Sequence, residues 1–159
     1  MLLRKGFLIT GVCASLALMA PLASGSLIYA GITGGQSSAS GLSNATNLGL
    51  MAGISIPLIP FLYVEGQYQR IHSWHARIEG AAAVLRVPLA PRVAILGKIG
   101  GAHLSGISNG VATSGSGLLY GAGLSVRIYG PIAVRGEYQV IRVSGVDYRT
   151  AQGDLIYHF

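Results

Sequence analysis

Arg149-Thr-Ala-Gln-Gly-Asp-Leu-Ile-Tyr-His-Phe159 ends the chain. Counting back from Phe159, alternate positions hold Tyr157, Leu155, Gly153 and Ala151, with His158, Ile156, Asp154, Gln152 and Thr150 between them. A period of two marks a β-strand, whose successive side chains point to opposite faces. One face here is apolar, the other mostly polar, and the run stops on an aromatic residue. In a soluble sheet the apolar face needs a second layer to cover it. In a closed barrel that crosses a membrane it meets lipid, and the polar face lines the inside.

The pattern recurs. Eight segments of roughly the length a tilted barrel strand needs, about 9–11 residues with extensions, run along the chain. They are Leu27–Gln36, Asn47–Leu58, Leu62–His72, Ala76–Val87, Val93–Ser105, Leu118–Tyr129, Ile132–Val143 and Arg149–Phe159. Pro57-Leu-Ile-Pro60, Pro88-Leu-Ala-Pro91 and Tyr129-Gly-Pro131 are short and proline-marked, as tight turns should be. Ser37–Thr46, Ser73–His75, Ile107–Gly117 and Ser144–Tyr148 are mostly polar and read as loops at the opposite end. An even strand count puts both termini on one, periplasmic, side.

The faces agree from segment to segment. Val134, Gly136, Tyr138 and Val140 alternate with Arg135, Glu137 and Gln139, and Val64, Gly66 and Tyr68 alternate with Glu65, Gln67 and Gln69. Val64–Ile71 matches Val134–Ile141 at five of eight positions, an echo of duplication or the same facing demand met twice. Leu118, Tyr120, Ala122, Leu124, Val126 and Ile128 oppose Gly121, Gly123, Ser125 and Arg127. In the second segment, Leu48 to Leu58 at even positions oppose Asn47, Gly49, Gly53 and Ser55. The first segment alternates weakly and leaves its facing open.

Residues 1–25 have the build of a secretory signal: Arg4 and Lys5, an apolar run from Phe7 to about Leu18, then small residues to Gly25. Cleavage after Gly25 fits best, with the bond after Ala23 as the alternative. An uncleaved anchor fits worse, because the run is short for a spanning helix. Cys13 leaves with this segment, so no disulfide is expected. Residues 26–159 remain as one barrel domain. The chain is 51% hydrophobic and 10% charged, yet past the signal it holds no apolar run of about 18 residues. Its apolar residues are therefore spread over many short segments. The 24 glycines and 8 tyrosines suit crowded strands and the lipid–water boundary. No basic cluster suggests nucleic acid.

With the apolar parity outward, Glu65, Arg77, Glu79, Lys98, Arg127, Arg135, Glu137 and Asp154 point inward, four acids and four bases. Charges confined in a narrow barrel have to be paired. They form either a gate whose ion pairs exchange partners or a static polar core. Arg70, Arg142 and Arg149 face outward at the loop end of their strands. They suit lipopolysaccharide phosphates, which a planar guanidinium fork grips well, or plain snorkelling to the headgroups. Arg86 is expected on the lipid face, tolerated near the interface or relieved by a bulge.

Tyr120-Gly-Ala-Gly-Leu-Ser-Val-Arg-Ile-Tyr-Gly-Pro-Ile-Ala-Val-Arg-Gly-Glu-Tyr138, followed by Asp154–Phe159, resembles the last three strands of OmpA/OmpX-type outer-membrane barrels. The resemblance spans Ser26 to Phe159. It implies an all-β fold, an eight-stranded antiparallel up-and-down transmembrane β-barrel after a cleaved signal peptide, in the bacterial outer membrane. It also implies that Leu155, Tyr157 and Phe159 form a recognition tail for the barrel-assembly machinery. An interior Glu–Arg/Lys network is implied as well, onto which Glu65, Lys98, Arg135 and Glu137 map by face. The chain ends at the last strand, so the periplasmic peptidoglycan-binding domain of larger members is expected to be absent. The short loops set aside the adhesin roles of long-looped relatives.

Three function classes follow. The first is a structural or interaction barrel that supports the outer membrane through lipopolysaccharide contact, with surface adhesion through Ser37–Thr46 and Ile107–Gly117. The second is a lipid A deacylase-type enzyme using His103 and Ser105, which have outward parity. A serine nucleophile needs a base and an orienting acid. The carboxylates are expected inside, so no enzyme is expected. The third is a small passive pore, which a filled lumen disfavours. His72 and His75 flank Trp74, but two histidines make an incomplete metal site. An interfacial tryptophan at a loop tip is the expected account, and no cofactor or metal is expected.

Overall fold

A computed structural model describes residues 27–59, 61–108 and 111–159, so the expected signal segment, residues 1–25, lies outside the described residues. The strands are β1 (Ile28–Ala39), β2 (Ala45–Ser55), β3 (Leu62–Ile71), β4 (Ala76–Ala90), β5 (Val93–Ser108), β6 (Val111–Tyr129), β7 (Ile132–Val143) and β8 (Val146–His158). Each pairs antiparallel with its neighbours in sequence, and β1 pairs with β8 to close a barrel. The closing ladder runs from Tyr29 opposite His158 to Ala39 opposite Tyr148. Every strand thus has two neighbours, the only sheet arrangement that leaves no unpaired edge in lipid.

Connections are short at both ends, and the polar segments are taken up into strands further than the sequence pattern drew them. The strands run on into the serine- and glycine-rich segments, so that Ser108 pairs with Val111 and Val143 with Val146. Pairing there uses backbone groups alone, which a polar side chain does not prevent. Ser144 and Gly145 take φ of 50° and 81° and close β7 to β8 as a two-residue turn. At the other end β4 continues past Pro88 to Ala90 with a register shift. The missing proline N–H makes that irregularity cheap.

Seven strands have a clear facing. On β1, Tyr29, Thr33 and Ser37 are buried and point inward, which settles the strand that alternation left open. Outside, Leu50 is 61% exposed and Ile99 60%, and Val64, Leu118, Leu124, Tyr138 and Leu155 join them in a belt. That much continuous apolar surface has no place in water. In lipid it is the expected wall.

The eighth, β4, faces opposite to expectation. Ile78, Ala82 and Val84 are buried in the lumen, while Arg77 and Glu79 lie exposed on the outer wall. Both parities of this strand carry apolar residues, so alternation alone could not choose between them. Packing chose. Ile78 joins Ile71, Leu119 and Ile141 in an apolar cluster at the loop end of the lumen. Two ionised groups there would be buried without partners. The same reversal turns Arg86 from the lipid wall to the periplasmic mouth, where it lines a cavity of about 20 Å³ with Tyr63 and His158.

Tyr138 lies midway along β7 on the lipid wall and is 51% exposed. Tyr138→Arg is expected to cost about 2–4 kcal/mol in denaturant titrations of protein refolded into bilayers. Ser73→Arg, in the β3–β4 turn, should leave the midpoint unchanged. Unboiled protein should also migrate apart from boiled protein on a detergent gel.

Candidate functional site

The lumen is layered. Above the periplasmic mouth, Tyr29, Met51, Ala133 and Ile156 pack together with Tyr63 against them. Next comes an ionic layer from β3, β5, β7 and β8. Lys98 Nζ lies 2.7 Å from Glu65 Oε1 and 2.6 Å from Glu137 Oε1. Arg135 Nη1 lies 2.8 Å from Glu65 Oε2, and Arg135 Nε lies 3.2 Å from Glu137 Oε2 and 2.6 Å from Asp154 Oδ2. Each base touches both glutamates, so the four charges form a cross-braced square. The Tyr29 hydroxyl donates to Glu65 Oε2 at 2.6 Å, and Arg135 Nη2 reaches Met51 Sδ at 2.8 Å.

A glutamine layer follows. Gln67 Oε1 accepts from Lys98 Nζ at 3.1 Å, and Gln67 Nε2 donates to Gln139 Oε1 at 3.2 Å. Gln139 and Gln69 both donate to Gln152 Oε1, and Gln152 Nε2 returns to Asp154 Oδ1 at 3.3 Å. Asn47 donates to Ser37 Oγ at 2.9 Å, and Ser37 Oγ lies 3.0 Å from Thr150 Oγ1, a separate hydrogen-bonded group. The apolar cluster closes the loop end. Trp74 packs against it, ties down the β1–β2 turn by donating to Ser43 O at 3.0 Å, and meets Tyr148 edge-on. Trp74 therefore covers the lumen rather than facing the membrane, and His72 and His75 beside it are exposed.

Of the eight charges expected inside, Glu65, Lys98, Arg135, Glu137 and Asp154 meet in this layer. Arg77 and Glu79 are outside. Arg127 keeps inward parity beyond Ser125 but sits exposed at the periplasmic rim, where water solvates it. Sequence reasoning missed Tyr29 and did not use the glutamines as partners. The glutamines had a signal, since Gln67, Gln69, Gln139 and Gln152 all fall on the polar parity. Tyr29 had none, because its strand alternates weakly.

The outer wall carries a second polar group on β3 to β6. In one row of the sheet Arg70 stands opposite Arg77, Arg77 opposite Ser105, and Ser105 opposite Ser114. In the next row towards the bilayer centre Tyr68 stands opposite Glu79, Glu79 opposite His103, and His103 opposite Ser116. Arg77 Nε donates to Ser105 Oγ at 3.2 Å. His103 Nδ1 lies 2.9 Å from Ser116 Oγ. The histidine thus engages Ser116 and not Ser105, because pairing across strands brings side chains closer than spacing along one. Elsewhere on the wall Arg142 is bound by Asp147 through contacts of 2.7 and 3.1 Å, and Arg149 is exposed opposite Val140. Leu155, Tyr157 and Phe159 face outward, with the last two rings 5.0 Å apart.

The sequence matches no protein-family profile and no curated protein sequence. Solved structures do match. The N-terminal β-barrel domain of Pseudomonas aeruginosa OprF aligns with a TM-score of 0.70 at 13% identity, over 86% of this chain and all (100%) of that one. Neisserial surface protein A aligns with a TM-score of 0.60 at 16% identity, over 83% of this chain and 96% of that one. The attachment invasion locus protein Ail of Yersinia pestis aligns with a TM-score of 0.57 at 17% identity, over 83% and 96%. At such identities the likeness establishes the fold. That fold is the closed eight-stranded antiparallel β-barrel that these proteins share.

Removing one partner from a buried ion network leaves its counter-charges stranded, a loss of about 3–5 kcal/mol. Arg135→Leu leaves Asp154 without a base and Glu65 and Glu137 sharing Lys98 alone, and is expected to lower unfolding stability by that order in a denaturant titration. Arg127→Leu, at the wet rim, should change it little.

Proposed function

We propose that this chain is a closed, non-conducting outer-membrane barrel with a structural role: it holds the outer leaflet by gripping lipopolysaccharide phosphates. The observation that carries this is the Arg70–Arg77 pair. Two cations directly opposite on neighbouring strands repel, and both lie exposed on the lipid wall at its loop end. A phosphate between them turns repulsion into two charge-assisted forks. Arg149 is a further contact, whereas Arg142 already has Asp147. The exposed Leu155, Tyr157 and Phe159 suit recognition by the assembly machinery while the barrel is still open.

The cross-braced ionic square favours a static core over a gate, since no partner exchange gains a new contact. Adhesion has little to work with, because β1 and β2 absorb all of Ser37–Thr46 except residues 40–44.

Arg70→Gln combined with Arg77→Gln should reduce co-purified lipopolysaccharide several-fold, measured by phosphate assay on extracted protein. Arg142→Gln should reduce it less. Unchanged retention in the double variant leaves only snorkelling. In planar bilayers, the protein should add no conductance above that of the bare membrane.

A further inference from the structure

The row beneath the arginines has chemistry of its own. Glu79, His103 and Ser116 occupy three adjacent strands at the same level, all exposed on the outer wall. They flank a shallow groove of about 470 Å³ floored by Ala81, Gly101 and Gly117. The geometry points to Ser116 and His103 as nucleophile and base, with Glu79 as a positioning residue, hydrolysing an acyl ester of a phosphorylated lipid that lies against this wall.

Three observations lead there. First, the Ser116 hydroxyl and His103 Nδ1 are already within hydrogen-bonding distance at 2.9 Å, the contact a base needs to take the hydroxyl proton. With the imidazole proton on Nε2, Ser116 donates to Nδ1. Second, the sequence argument against an enzyme was that every carboxylate near His103 faced inward, and the reversed β4 removes it. Glu79 now stands outward as the direct cross-strand partner of His103, and no hydrogen bond or ion pair among the described residues engages its carboxylate. Third, the placement suits a lipid. Rows two residues apart along a strand are about 7 Å apart. A lipid whose phosphate sits on Arg70 and Arg77 therefore brings its ester carbonyls, which lie just below the phosphate, to the level of Ser116. The position of the lipid rests on the phosphate reading above; the Ser116–His103 pair does not.

The reaction balances with water as the only co-reactant. Ser116 Oγ bonds to the ester carbonyl carbon as its proton passes to His103 Nδ1. The carbon–oxygen bond to the lipid alcohol breaks, and the alcohol leaves with that proton. Water then adds to the acyl-Ser116 carbonyl and gives a proton to His103. The bond to Oγ breaks, Ser116 recovers the proton, and a fatty acid is released. Glu79 aligns the ring and stabilises its transient positive charge. The charged groups facing His103 from its neighbours are Glu79 and Arg77 on β4; the facing β6 positions Ser114, Ser116 and Leu118 carry none.

Extracted full-length protein should be incubated separately with lipid A in detergent micelles and with phosphatidylglycerol in the same micelles, and released fatty acid measured by mass spectrometry. Release in one arm identifies the lipid source. Ser116→Ala and His103→Gln are each expected to lower the rate at least ~100-fold, and Ser114→Ala to leave it unchanged. Glu79→Gln should lower kcat at constant KM, with Glu79→Asp restoring part of it. Altered migration before boiling certifies that each variant is folded. No release in either arm by folded wild-type protein, or a Ser116→Ala variant as fast as wild type, overturns the proposal. Loss of retained lipopolysaccharide in the arginine variants without any fatty acid release sinks the hydrolase reading alone. Release that depends on Ser116, with retention unmoved by the arginines, sinks the phosphate reading alone.

Discussion

The hydrogen-bond ladder between the first strand and the last is the constraint on which the rest depends. In hydrocarbon an unpaired backbone group has no water to turn to, so a sheet must close or fail. Closing eight strands fixes a lumen just wide enough for side chains. From that point each inward position is under a volume constraint. A Cβ added to inward-facing Gly121 would come within 2.7 Å of Tyr138 O, whereas one on outward-facing Gly136 would meet nothing within 4 Å. Glycine is required in the first place and merely allowed in the second.

The ionic layer answers the next problem, how to fill a narrow tube with polar groups. Burying charge costs several kcal/mol per ion unless geometry compensates. Here Lys98 and Arg135 each meet Glu65 and Glu137, Asp154 takes up Arg135, and Tyr29 donates to Glu65. Apolar clusters lie on both sides of the polar layers. By keeping water away they strengthen every contact between them. A lumen filled this way leaves little room for water or ions, which supports the proposed structural role over conduction.

The outer wall follows different rules. Its belt is apolar through the middle of the wall and carries polar groups near the loop end, where on β3 to β6 the register aligns two polar rows. Those rows combine opposed cations, a hydrogen-bonded serine–histidine pair and a carboxylate without another bond among the described residues. None of this is needed to close or fill the barrel. Side chains that cost stability against lipid, without serving the fold, are where binding or chemistry is to be sought.

Period-two alternation determined the strand count, the barrel class and the facing of the strands whose two parities differ, such as β7 with Val134 and Tyr138 against Arg135 and Glu137. It did so because one residue's shift moves a whole strand from lipid to lumen. Alternation was silent on β1, where both faces are mixed, and misleading on β4, where both are apolar. There only packing against Ile71, Leu119 and Ile141 could decide which side went in. The pairing of His103 with Ser116, of Arg70 with Arg77, and of each base with both glutamates also belongs to the tertiary structure. Such contacts depend on cross-strand register, which is set by turn length and closure, and register leaves no mark in the sequence of any single strand.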